Sequence, residues 1–494
     1  MRPLLKTVSA NLLAALMVSG CTMLGPDYQQ PMALVESDWL DIGDPLVSDD
    51  SPVDPRWWQT AFQDPVLDQL VETALEENLT LRSAGLRVLQ SQQQLAIAVG
   101  NQYPQVQQIT GSATREKANQ NIFNEYDLGF NLSWEADFWG RFRLQVESAS
   151  AELDASVADY DGALVSLLSQ VAQNYLLIRT FQARLEVTRK SVKSQRESLR
   201  VATAKFNVGE VSELDKDQAE SLLNNTIAGV PALESSLQQL KNALAILLGK
   251  PPQNMNYLLG EQRDIPATPA TIALGMPQNL IRQRPDIRAA ERQLAAQSAQ
   301  IGYAVTELYP HFSIGGSIGS SAMHSSDLFE SDSEVWNLFG AFQWNIFNYG
   351  RLRSNVRLQD ALFQQLLVNY QNTVLQAQGD VENSIVAYLK SYQQLASYEL
   401  AAAASKRSVA VSTAQYQNGL IDFNTVISTL NADAQQQDLL TATRGNVATN
   451  LVQVYRALGG GWRIRDGQDP VELLPSAMKE EMRERTGAWA GVLQ

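Results

Sequence analysis

Val157, Leu164, Val171, Ile178, Leu185, Val192, Leu199 and Phe206 stand seven residues apart in an unbroken series; 210 residues on, Leu367, Val374, Val381, Tyr388, Leu395, Ala402, Val409 and Tyr416 repeat it in register. An apolar residue held at every seventh position is the seam of helices that coil left-handedly around one another. Neither Arg141 to Phe206 nor Arg351 to Tyr416 contains a proline. Each stretch therefore predicts one helix, which at about 1.5 Å per residue reaches roughly 100 Å. The positions between are mixed, with Leu153, Tyr160, Leu167 and Phe181 beside Asn174, Thr188 and Gln195. Such a seam suits helices ranged around a hollow more than a fully dry two-stranded core.

The same duplication extends in both directions. Leu81-Arg82 and Tyr103-Pro104 recur as Ile287-Arg288 and Tyr309-Pro310, 206 residues on. Gly140-Arg141, Phe206-Asn207-Val208-Gly209 and Leu248-Gly249 are answered at 210 by Gly350-Arg351, Tyr416-Gln417-Asn418-Gly419 and Leu458-Gly459. The four-residue change is expected in the loop between two paired strands. A repeat this long makes the chain two copies of one helix, hairpin, long helix, helix unit.

Tyr126, Leu128, Phe130, Leu132, Trp134, Ala136 and Phe138 alternate with polar residues and Gly129, and Trp336, Leu338, Phe342, Trp344 and Ile346 are set against Asn337, Gln343 and Asn345. Period two with one aromatic face predicts strands. Each run is about a dozen residues, against the roughly 9 to 11 a tilted strand needs to cross a bilayer. The first strands are weaker: Gln105 to Lys117 barely alternates, whereas Phe312, Ile314 and Ile318 do. A soluble sheet covered on one side has the same pattern. Helices are also expected over Pro65–Asn78 and Leu79–Gln102, with Gly209 and Gly419 reversing the chain at the ends of the long helices.

The boundaries that follow are a signal peptide over 1–20, a lead over 21–78, a first copy over 79–249 with its hairpin at about 104–139, a Pro-rich linker over 250–283, a second copy over 284–459 with its hairpin at about 310–347, and a tail over 460–494. The export signal is basic Arg2 and Lys6, the apolar run Leu12 to Val18, then Ser19 and Gly20 before Cys21, the only cysteine. Val18-Ser19-Gly20-Cys21 resembles the bacterial lipobox, which makes Cys21 a lipid-bearing mature N-terminus; Thr22 after it favours the outer membrane. An ordinary cleaved signal followed by an incidental thiol is the plainer alternative. Two or three acyl chains, at about 0.8 kcal/mol per buried methylene, anchor stably.

Of the 494 residues 45% are hydrophobic, and the mean hydropathy of -0.20 leaves no transmembrane helix beyond the N-terminus, so any membrane crossing is β. The net charge of -15, or -17 without Arg2 and Lys6, lacks the basic clusters that a nucleic-acid partner needs. No resident cofactor or metal is expected. The histidines are two, His311 and His324, and no GxSxG, Walker loop or HExxH occurs, so a catalytic reading is left only with unassigned carboxylate pairs. A periplasmic coiled-coil adaptor or scaffold lipoprotein remains an alternative, but it has no need of two aromatic alternating strand runs. Two hairpins give four strands, and the smallest common membrane barrels have eight. The strands must therefore close among copies, eight from two chains or twelve from three, because open edges in lipid cost several kcal/mol per unpaired group.

Cys21 with Gly25-Pro26-Asp27-Tyr28, the duplicated unit, Asn207-Val208-Gly209, Asn418-Gly419 and Leu458-Gly459-Gly460-Gly461-Trp462 closely resemble the outer membrane factors of the TolC family. The resemblance extends to the lipoprotein branch that includes OprM and VceC. The resemblance implies a homotrimeric tube, mainly α with membrane β: a twelve-stranded β-barrel, a long periplasmic α-barrel, and an equatorial belt from lead, linker and tail. It implies a passive exit duct of a multidrug or toxic-compound export system, docked on a periplasmic adaptor and an inner-membrane pump. By the same resemblance Asp215 and Tyr416 are partners of a gate latch at the helix tips; Tyr416 as a seam residue and Asp215 as a solvated early-helix acid are the plainer readings. The acids that relatives carry six and nine residues past the second tip glycine are replaced here by Thr425 and Ser428, which leaves Asp217 and Asp422 as possible lumen acids. Asp422 can equally serve a helix N-terminus. Adaptor docking falls on the outer faces of the tips, Phe206 to Asp215 and Tyr416 to Val426, around Val208, Gly209, Glu210, Asn418, Gly419 and Leu420.

Overall fold

The computed structural model describes residues 23–32, 34–48, 54–118, 121–269, 271–274, 284–465 and 467–493. The signal peptide, Cys21 and most of the distal linker lie outside the described residues. Two compact units are present. One holds Arg87–Ala158 and Ile287–Thr373 with the first described residues; the other holds Leu34–Leu86, Asp159–Asp286 and Val374 onward.

In chain order the elements are β1 (Val47–Ser48), α1 (Trp57–Phe62), α2 (Pro65–Glu77), α3 (Leu79–Gly100), β2 (Val106–Ala118), β3 (Asn121–Ala136), α4 (Arg141–Asn207), α5 (Glu213–Leu247), α6 (Asn256–Leu259), β4 (Ile272–Ala273), α7 (Pro285–Thr306), β5 (His311–Ala322), β6 (Glu334–Gln343), α8 (Arg351–Gln417), α9 (Phe423–Ala457) and α10 (Ser476–Arg485). The two seven-residue series thus fall on two helices of 67 residues each. Asp137 starts α4 by accepting from the amides of Phe142 and Arg143, both at 3.1 Å. Gly140 precedes it at φ +78°, where an added Cβ would sit 2.6 Å from Met23 Cγ. Exposed Pro231 lies inside α5 and deprives the preceding turn of one donor.

The first unit is built on one antiparallel sheet in the order β2-β3-β5-β6. The two hairpins join through β3 and β5, with Phe130 opposite Ile318. Because side chains alternate faces, rows of register partners share a face. Ile109, Phe130, Ile318 and Trp336 form one row; Leu132, Gly316 and Leu338 a second; Ala136, Phe312 and Phe342 a third. This face is apolar and open, Trp336 being 71% and Leu338 76% exposed. The opposite face is mainly polar, apart from Val106, Phe123, Val335 and Phe339, and is tied across strands, Asn131 donating to Thr110 at 2.8 Å and Asn337 to Ser317 at 2.7 Å. β2 and β6 are unpaired edges.

Two expectations need correction. The alternation reaches Ile346, but β6 ends at Gln343, because its partner β5 begins at His311 opposite that residue and nothing lies beyond to pair with. The repeat offset of 206 fails within the first strands. Val106 faces Ser133 and His311 faces Gln343, so with Ser133 and Gln343 related by 210, Val106 answers His311 at 205. The first copy carries one extra residue, Gln105, between Pro104 and its strand. The length change is therefore not confined to the hairpin loop.

The second unit gathers lead, linker and tail around the long helices. β1 pairs in parallel with β4, Val47 opposite Ile272. Trp57 is fully buried and stacks on Tyr455 at 4.9 Å. Arg179, also fully buried, donates to Leu259 O at 2.7 Å, Glu261 O at 3.1 Å and the Tyr175 hydroxyl at 3.1 Å, and Tyr175 donates to Asp64. Arg465 of the tail pairs with buried Asp161 at 2.9 Å. Gly461 has φ +109° and a Cβ there would stand 2.5 Å from Leu168 Cδ1, a close approach only glycine permits.

Candidate gate and docking surface at the helix tips

Both tips turn by the same backbone device. Gly209 has φ +78° and Gly419 φ +72°; Glu210 N donates to Lys205 O and Leu420 N to Gln415 O, each at 2.9 Å. These bonds satisfy carbonyls left over at the helix ends. Neither glycine has a neighbour within 4 Å of an added Cβ, so the backbone conformation alone requires glycine there. Val208 is 70% and Leu420 72% exposed, and Glu210 pairs with Lys205 at 3.2 Å. Asn418 folds back to donate to Ala414 O at 2.8 Å.

Behind the turns, Ala202, Ala219, Tyr416, Phe423, Val426 and Leu430 form a buried cluster that joins the two copies. Tyr416 is 5% exposed, stands 5.0 Å from Phe423 ring to ring, and has Lys205 Nζ 5.2 Å from its ring centroid. Its hydroxyl is buried with no hydrogen-bond partner within the chain. Burial, then the negative charges of Asp215 and Glu210, push the phenol up to about 12. It therefore stays a neutral donor at physiological pH.

Asp215 sits half-buried in the first turn of α5, accepting from Ser212 Oγ at 3.3 Å. Asp217 is exposed, 3.9 Å from Lys216 Nζ. Asp422 caps α9, accepting from Thr425 N and Thr425 Oγ1, each at 2.8 Å. Those two bonds to Thr425 hold its carboxyl below the usual carboxylate range. Asp422 thus serves the N-terminus of α9.

Phe423 and Val426, in the stretch expected on the outer docking face, are instead buried, 2% and 1% exposed, in the cluster that joins the copies. The sequence reading missed the polar seam between α8 and α9. Ser412 and Thr429 bond at 2.7 Å, Ser405 donates to Asp433 at 2.8 Å, and Gln437 donates to Ala402 O at 3.1 Å and Asp433 at 3.2 Å. At the matching places the first copy has Ala202 and Ala219, Gln195 and Leu223, and Ile227.

Of the first described residues, Met23 and Leu24 dock at the strand-to-helix corner beside Gly140, whereas Tyr28 bonds early in α7. Leu24 N donates to Trp139 O at 3.1 Å, and Tyr28 donates to Glu291 at 2.6 Å.

A sheet with one open apolar face and a duplicated pair of very long helices are the parts of an outer membrane channel protein. Its sequence matches the family model for outer membrane efflux protein over residues 70–250 and 276–460, and the chain belongs to that family. It is 30% identical over 479 residues to the solvent efflux pump outer membrane protein SrpC of Pseudomonas putida, covering 93% of this chain and 99% of that protein. To the probable outer membrane lipoprotein SilC of Salmonella typhimurium it is 28% identical, over 90% of this chain and 96% of that one. The solved structure of the outer-membrane channel OprN superposes with a TM-score of 0.85 at 29% identity, covering 89% of this chain and 99% of OprN. The protein is an outer membrane efflux channel and not an enzyme.

Proposed function

We propose that three copies close the sheet into a twelve-stranded barrel and that the trimer is the exit duct of a tripartite export system, docked by its tips on a periplasmic adaptor and served by an inner-membrane pump. The four-stranded sheet carries this reading: its apolar face is open to lipid and both its edges lack partners. An unpaired edge in lipid costs several kcal/mol per backbone group, and closure among copies removes it. Cys21 bears the lipid. The lipobox-like Val18-Ser19-Gly20 that precedes it supports this reading. Val208, Gly209, Glu210, Asn418, Gly419 and Leu420 form the docking surface. Tyr416 and Asp215 are the gate latch, a reading supported by the buried, unpartnered Tyr416 hydroxyl and the nearby Asp215 charge. With Thr425 and Ser428 at the usual acidic places, Asp217 supplies lumen charge and Asp422 contributes it only while capping α9. Detergent extraction tests the assembly: a heat-labile species of three chains released from outer membranes agrees with it, and a monomer freed by salt alone overturns it.

A further inference from the structure

The duplicated chain contains its own intersubunit contact in miniature. Where the first copy meets the second, β3 pairs with β5; a ring of chains repeats that step by pairing β6 of one protomer with β2 of the next. We infer that this second junction copies the first, and that its register sets Trp344 opposite Ile109, Phe342 opposite Gly111 and Ala341 opposite Ser112 of the next protomer. The inference rests on closure among copies and holds for two chains or three.

The register follows from measured pairings. In the chain Trp134 faces Ile314, Leu132 faces Gly316 and Asn131 faces Ser317. β3 maps onto β6 by 210, which turns Trp134, Leu132 and Asn131 into Trp344, Phe342 and Ala341. The hairpin registers map β5 back onto β2 by 205, which turns Ile314, Gly316 and Ser317 into Ile109, Gly111 and Ser112. The offset of 206 that the Tyr-Pro motifs suggest would shift the pairing by one. A one-residue slip sends a strand's side chains to the opposite face, setting Trp344 against polar Gln108. The 205 register instead keeps Trp344 and Phe342 on the face of Ile109, Gly111 and Ala113, while farther along that face Leu338 and Trp336 meet Arg115 and Lys117.

Three consequences agree with the local structure. Leu132 faces Gly316 within the chain, and the inferred register repeats that pairing of a bulky residue with glycine as Phe342 with Gly111. Trp344 and Ile346, beyond the end of β6, gain partners in Ile109 and Gln107 of the next protomer, which completes the strand that the alternation predicted. At the corner, Trp139 donates to Pro310 O at 2.8 Å and packs 5.0 Å from Tyr309. Their counterparts, Tyr349 and Tyr103, are 105% and 64% exposed in the single chain, and Tyr349 has φ +52°. They are the same contact awaiting its other half. A head-to-tail interface of this kind generates rings when its rotation closes.

Cysteine pairs in the full-length protein test the register, because Cys21 is the one native thiol and single-cysteine controls account for it. Ala341→Cys with Ser112→Cys is expected to give a reductant-sensitive trimer ladder in outer membranes, at least tenfold above Ala341→Cys with Gly111→Cys or with Thr110→Cys. A stronger ladder from either alternative pair, with the trimer intact on a native gel, overturns the register while leaving closure standing. Loss of the trimer from the unmodified protein is a different failure, that of the assembly itself. Should a cysteine pair fail to insert, Tyr349→Ala decides: a trimer that dissociates at lower temperature than the unmodified one supports the junction, and unchanged heat stability contradicts it.

Discussion

The α4/α5 pair and the α8/α9 pair share length, turn geometry and a glycine at the same place, and differ in what fills the seam. In the first pair Ala202, Ala219 and Leu223 are buried. In the second, Ser412 bonds Thr429, and Ser405 and Gln437 hold Asp433. Apolar packing is non-directional and tolerates sliding, whereas hydrogen bonds across a seam fix one register and are lost together when it shifts. Duplication has kept the backbone and divided the chemistry, making the second pair the side whose arrangement is defined by breakable bonds.

The largest test uses the first residues of α5 and α9. Phe423→Ala, at a site 2% exposed in the cluster joining the copies, is expected to cost about 3 to 5 kcal/mol. Its counterpart Glu213→Ala, at an exposed position, should stay within about 0.5 kcal/mol. Urea-dependent proteolysis of the tips measures both, and equal responses would break the comparison. Next, Ser412→Ala or Thr429→Ala alone removes the cross-helix bond but leaves the other hydroxyl on its own-helix carbonyl, Val426 O at 2.9 Å or Val409 O at 3.2 Å, at about 0.5 to 1.5 kcal/mol. The double variant recreates the Ala202 and Ala219 pairing and should recover most of that loss; additive losses in the cycle would show that the two hydroxyls act separately.

A smaller effect of opposite sign is expected at Gln195, which is 2% exposed with both side-chain polar atoms unpartnered within the chain. Gln195→Leu should raise stability by about 1 kcal/mol, while Ser405→Leu lowers it. A destabilised Gln195→Leu would mean that the amide finds its partner in another copy. The smallest effect is at Asp422. Its folded pKa is lowered, so the cap's contribution is present above the ordinary aspartate range and disappears as pH falls through the lowered value. Asp422→Ala should therefore remove a pH-dependent increment of tip protection that Ser212→Ala, where no cap bond is made, does not carry.

The long helices were legible because a seven-residue period is carried by each helix itself, and the alternation of Tyr126 to Ala136 was legible for the same reason. What escaped was relational. Gln105 shifts the first hairpin by one residue and leaves no mark in composition, so the motif offset of 206 concealed a strand offset of 205. Trp344 and Ile346 read as strand, yet a strand needs a neighbour and theirs lies outside the chain. The tip cluster joins Ala202 to Phe423 across more than two hundred positions, a proximity no local pattern contains. Asp422 offered a cap or a lumen acid from sequence, and only its two bonds to Thr425 show that it caps α9.

The most direct test of the account is conductance through planar bilayers. Wild-type protein should pass little current, and the Asp215→Ala and Tyr416→Phe double variant should open to a larger, sustained conductance, because the latch is released while the barrel is untouched. A double variant that passes no more current than the wild type, from trimers shown to be inserted, would contradict a gate held at Tyr416.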